Sequence, residues 1–135
     1  MKQISYLYLI SRLFMFKTIE DEQGNEYVLF AQNELSCIEG ITDHTAFEAC
    51  ENHVHLLNHI KAETFNICIS IAASIGQAVL NNLQVAYPQK KFIVFVSMRK
   101  NDSLILRFHQ KWPNEKPYYN PDDFQSSEEI VLKFE

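Results

Sequence analysis

One uncharged stretch dominates the pattern of hydrophobic and polar positions. Between Glu63 and Lys90 no residue is charged, and at about 100° per residue Asn66, Ser70, Ser74, Gln77, Asn81 and Gln84 fall in one stripe. Apart from Asn82, the rest of that wheel is apolar or small. A helix over Asn66–Tyr87 is therefore expected to be enclosed on most sides, as the central helix of the domain. Its polar positions deny it the roughly 18 consecutive apolar residues of a membrane span. Pro88 then stops it, and Lys90 and Lys91 place cations near its negative end.

The other periodicities are shorter. Ile4, Tyr6, Tyr8 and Ile10 alternate, which reads as a long or broken strand over 4–19, although a helix fits almost as well. Glu20–Glu26 is a turn around Gly24, and Tyr27–Ala31 is the returning strand. Asn33–Asp43 is irregular and holds Gly40, and Thr42, Asp43 and Thr45 are possible caps. Ala46–Ile60 reads as an amphipathic helix with Phe47, Cys50, Val54, Leu57 and Ile60 on its apolar arc and Glu48, Glu51, Asn52, His55, Asn58 and His59 on a solvated side. Phe92–Met98 is nearly continuous apolar, as in a strand covered on both faces. After a polar hairpin loop at Arg99–Asp102, Leu104–Gln110 alternates, with Leu104, Leu106 and Phe108 inward and Arg107 and His109 outward. Ile130–Phe134 makes a last strand. The expected architecture is one α+β domain over 1–135, an antiparallel or mixed sheet with two helices packed on one side.

Charge adds what periodicity does not. The net charge is −5, but all nine charged residues from Thr18 to Ile60 are acids. Such a segment is either a solvated face or a surface for a basic partner, and it disfavours nucleic acid. Cys37, Cys50 and Cys68 form no C-x-x-C and read as reduced core residues, which points to the cytoplasm. Ser5, Ser11 and Arg12 interrupt the apolar N-terminal run, so no secretory leader is expected.

Catalytic signatures are sparse. Three glycines, Gly24, Gly40 and Gly76, build no phosphate loop, and there is no G-x-S-x-G. On a helix, Glu51, His55 and His59 would lie four apart on one face and could share a metal, yet that face is expected to be solvated and no metal or other cofactor is expected. His53 falls in the apolar arc, where a hydrogen-bonded core histidine is the ordinary outcome. The unusual segment is Lys111–Ser127, KWPNEKPYYNPDDFQSS, long for a connection between strands. It carries Trp112, Tyr118, Tyr119 and Phe124 with three of the four prolines. These aromatics either cover the sheet or anchor an interface.

The order AVLNNLQVAYPQKKFIVFVSM, SLILRFHQKWPNEKPYYNPDDF, EEIVLKFE, over Ala78–Glu135, resembles small acidic bacterial immunity proteins of polymorphic and contact-dependent growth-inhibition toxin systems. The resemblance implies a non-enzymatic cytoplasmic protein that binds and neutralises a cognate toxin domain, often a basic nuclease. The contact surface is expected at Trp112, Glu115, Tyr118, Tyr119, Asp122, Asp123 and Phe124, with the acidic turn Glu20, Asp21, Glu22 and Glu26 as a second patch. Neither nucleic acid nor membrane is expected as a partner. The alternatives are a small metal-assisted or histidine-dependent enzyme using His53, His55, His59 or His109, and a structural or adaptor subunit.

Overall fold

A computed structural model of the chain describes residues 2–35 and 43–135. The expectations placed on Cys37, Gly40 and Thr42 lie outside the described residues. The chain opens with helix α1 (Lys2–Arg12) and the antiparallel hairpin β1 (Phe16–Glu20) and β2 (Glu26–Phe30). Helix α2 (His44–Glu51) and strand β3 (His53–Leu57) follow, then helix α3 (Phe65–Ala86). Strands β4 (Phe92–Arg99), β5 (Leu104–Gln110) and β6 (Glu129–Phe134) complete a second, four-stranded antiparallel sheet of order β3-β5-β4-β6. The class is α+β. Three helices stand where two were expected.

The sheet is the core of the molecule, and β4 is its centre. Successive β4 side chains alternate between faces: Phe92, Val94, Val96 and Met98 pack with Ala72, Val79, Leu80 and Leu83 of α3, whereas Ile93 and Phe95 pack with Val131, Tyr119 and Phe124. At Gly76 the ring of Phe134 lies where a Cβ would sit, at 2.5 Å. A side chain there would push the helix off the end of β6.

Helix α3 is covered on one side only. Its buried residues are Phe65, Ala72, Gly76, Val79, Leu80 and Leu83, while Ile67, Ile71 and Val85 are exposed together with the polar stripe. This corrects the expectation of a helix enclosed on most sides: its apolar arc is wider than the sheet face that receives it. By length and mean hydropathy, 1.3, the span Ala62–Ala86 is apolar enough to cross a bilayer. Its packing onto β4 and β6 is what places it in this domain.

The expected helix Ala46–Ile60 is half helix and half strand. Asp43 caps α2 by accepting from the Ala46 amide at 2.7 Å. At Asn52 the chain leaves the helix and runs along β5, with His53 opposite Arg107 and Val54 opposite Leu106. The sequence HVHLL fits either period, and the ladder hydrogen bonds offered by β5 decide it. Glu51, His55 and His59 are therefore not helical neighbours. The segment expected as a strand over 4–19 likewise divides, into α1 and β1. The hairpin turn falls as expected: Asp21 accepts from the Gln23 and Asn25 amides, and Gly24 has a φ of 84°. Cys50 is disulfide-bonded and Cys68 is free, so three reduced thiols are not what the fold contains. The compartment inferred from them loses that support.

Candidate functional site

The long connection 111–127 is built into the molecule from both ends. Its first anchor is a carboxylate buried in α2. Glu48 is fully enclosed; its Oε2 accepts from the Val28 amide at 2.9 Å and Gln110 Nε2 at 2.8 Å. Its Oε1 accepts from the Gln110 amide at 2.8 Å and from Trp112 Nε1–H at 2.6 Å. One side chain thus joins the end of β5, the hairpin strand β2 and the start of the connection. Burial pushes the Glu48 carboxyl up from its ordinary value, against the pull of these four donors. One turn later the buried Asn52 repeats the arrangement, accepting from the Phe30 amide at 3.0 Å and donating to the Val28 carbonyl at 2.8 Å.

The second anchor runs the other way, from the connection to the helix. Glu115 accepts from the Thr45 amide at 2.8 Å and pairs with His44 Nδ1 at 2.6 Å, placing its negative charge at the positive end of α2. Burial alone would raise this carboxyl, but the bonds from His44 and Thr45 outweigh it and hold it below the ordinary value. The Trp112 ring stacks on His44, with centroids 4.5 Å apart, and Tyr27 of β2 packs against Trp112, Phe47 and His44. The Tyr27 hydroxyl donates to Asp21 at 3.0 Å. Burial first, and Asp21 second, push this phenol up to about 12.

Further along, Tyr119 and Phe124 turn back onto the sheet. Tyr119 meets Phe95 edge-on at 5.3 Å and Phe124 at 5.5 Å. His109, expected to point outward, is buried under this cover. Its Nδ1 lies 2.7 Å from the Gln110 carbonyl, and its Nε2 accepts from the Tyr118 amide at 3.1 Å. Burial lowers its pKa, and with both nitrogens occupied it is a structural residue.

The expected contact residues therefore divide. Trp112, Glu115, Tyr119 and Phe124 hold the connection in place. Tyr118, with Arg107 5.3 Å from its ring centroid, and Asp122 and Asp123 in the 3-10 turn Pro121–Phe124, face outward. Neither aspartate forms an ion pair among the described residues. In the acidic turn, Glu20 and Glu22 are exposed, Glu26 pairs with Lys90 at 3.1 Å, and Asp21 is occupied inside the turn. Tyr27 bridges the two patches. A groove of about 440 Å³ opens beside them, between the start of α2 and Asn114–Tyr118.

The acidic segment proves to be only partly a solvated face, since Glu48 and Glu51 are buried and Glu51 takes a bond from Asn33 Nδ2 at 2.8 Å. His44 and Tyr27 were not singled out as site residues, and Thr45 was marked only as a possible cap; no local signal shows their contacts, because their partners in the connection lie about half the chain away. Among the described residues no group of three or more His, Cys, Asp or Glu could hold a metal ion.

The fold and site define a small α+β domain with a preformed aromatic and acidic surface. The chain belongs to the family described as Uncharacterized protein PM0498 family, which it matches over residues 10–135. No curated protein and no solved structure matches it.

Proposed function

We infer that this chain is a binding protein, a non-enzymatic immunity partner that neutralises a cognate toxin domain, with a basic nuclease as the kind of target. One observation carries the reading: the connection 111–127 has almost no regular structure, yet it is fixed through Glu48, His44, Thr45 and the outer sheet face. A loop already held in one shape loses little further entropy on binding. Its outward residues include Tyr118 and the carboxylates of Asp122 and Asp123, which have no ion-pair partners among the described residues, beside the exposed Lys116; the tyrosine and the two carboxylates are chemistry that suits a positively charged groove.

The contact set narrows accordingly. Tyr118, Asp122 and Asp123 would meet the partner, with Glu20 and Glu22 as the flanking patch, while Trp112, Glu115, Tyr119 and Phe124 support them from beneath. Titration with the C-terminal domain of the neighbouring gene's product, as the candidate toxin domain, tests this. A one-to-one complex is expected, weakened more than about tenfold by reversing Asp122 and Asp123 to lysine. Unchanged affinity in that variant rejects this surface, and no complex rejects the reading.

A second reading, a histidine-dependent enzyme, is favoured only by the His44–Glu115 pair at 2.6 Å. It requires an activity that His44→Asn abolishes while the fold is retained.

A further inference from the structure

The opposite flank of the molecule has a different chemistry. On α1, Ile4, Leu7, Tyr8 and Ile10 are 50–67% exposed, and on α3 Ile67 and Ile71 are 62% and 56% exposed. Between the two helices runs an apolar groove of about 260 Å³, walled by Leu9 and Leu13 on one side and Ile71 and Ile75 on the other. Leu57, itself 37% exposed, continues the patch. Monomers seldom leave so much contiguous apolar surface in water.

We propose that this flank is the interface of a symmetric dimer of the chain. Three observations select a second copy as the occupant. First, the area fits: six large side chains exposed by half to two-thirds amount to on the order of 700 Å², close to the roughly 800 Å² per partner of a stable interface. Second, the face carries no charge, since nothing between Lys2 and Arg12 or from Phe65 to Ala86 is ionisable as acid or base except tyrosine and cysteine. Two copies with a net charge of −5 each can approach here without placing like charges in contact, whereas a basic partner finds nothing complementary. Third, the patch combines a ridge with a groove. The exposed side chains of α1 can enter the groove of the other copy, and a two-fold axis makes the exchange reciprocal and closed.

A membrane surface fits less well. Helices lying in a lipid interface are rich in lysine and arginine on their polar face, whereas α1 has only Lys2 and Arg12, at its two ends. The dimer does not depend on the toxin reading. The α3 side of the sheet and the side covered by Tyr119 and Phe124 are different faces, so a dimer would leave both copies of the loop surface free.

Light scattering on the purified full chain, from about 1 to about 100 µM, tests the proposal. A mass rising to twice 15.8 kDa is expected. Leu7→Glu and Ile67→Glu, both at exposed positions, are expected to weaken association at least about a hundredfold, because each would bury a charge in an apolar seam. Their circular dichroism should be unchanged. Asp122→Lys, on the other face, should leave the mass as it is. A wild-type chain that is monomeric at the highest concentration overturns the proposal, and so does a dimer that survives both folded variants. Flotation of a monomeric chain with neutral phospholipid vesicles would assign the flank to lipid instead. Should a variant fail to fold, the wild-type concentration series decides alone.

Discussion

Helices α2 and α3 are held by opposite means. The eight-residue α2 is fixed by directed bonds: Glu48 and Asn52 reach backbone groups of β2 and β5, and Glu115 closes its first turn. The 22-residue α3 is fixed by apolar contact with Phe92, Val94, Val96 and Met98, and much of its remaining surface is exposed. The contrast separates the jobs of the two regions. Hydrogen bonds fix direction and spacing, so the α2 region can aim a loop. Apolar contact is non-directional and leaves a face able to accept another apolar surface.

The largest effect should come from breaking the directed region. Each Glu48 oxygen accepts from two donors, so in Glu48→Gln the new NH₂ must face donors whichever way it turns. A loss of about 2–4 kcal/mol is expected in urea unfolding, despite the isosteric change. A loss below about 1 kcal/mol would mean that the four bonds do not hold the region. Next comes Gly76→Ala, which tests whether α3 tolerates a change at its tightest contact. The 2.5 Å approach of Phe134 should cost about 1–3 kcal/mol, reduced by the roughly 1 kcal/mol gain in helix propensity.

A smaller, pH-dependent effect distinguishes the regions without mutation. The Tyr27 phenol rises from 10.0 to about 12 on folding, so its neutral form is favoured in the folded chain. That stability is fully present below pH 10 and is lost as the pH rises toward about 12. Tyr27→Phe should flatten this alkaline loss, read from unfolding midpoints at a series of pH values. Glu115 works in the opposite sense: held below its ordinary value, it contributes stability above that value and loses it as the pH falls further. The smallest effect is expected at Ile67→Gln, which at monomeric dilution should change stability by less than about 0.5 kcal/mol, because the side chain is 62% exposed.

Where local pattern and tertiary need agree, the fold was readable from the chain. The strand at Leu104–Gln110 with Leu104, Leu106 and Phe108 inward, the continuous apolar run of β4, the Gly24 turn and the long period of α3 all fall where expected. Two contrasts were hidden. Acidic residues suggested a solvated face, but Glu48 is buried, and its partners Val28, Gln110 and Trp112 lie 20, 62 and 64 residues away, beyond the reach of any local pattern. Apolar residues suggested an enclosed helix, but a sheet covers only one side of α3, and periodicity does not reveal how many neighbours a helix has. The strand at His53–Leu57 was hidden for a related reason, since its partner β5 is distant in sequence and only the ladder separates strand from helix. Of the candidate surface, sequence picked out the loop and its aromatics. It could not separate those that support the loop from those that face outward.

Trp112 is the single tryptophan, which makes the central claim measurable at one signal. If a buried Glu48 carboxylate holds the loop, the indole N–H proton resonance of the folded chain should be shifted downfield by the 2.6 Å bond and should exchange slowly with water. In Glu48→Gln it should move, while the methyl signals of Leu80 and Leu83, on the buried face of α3, stay in place. An indole proton at its ordinary position that exchanges freely in the wild-type chain would contradict the account.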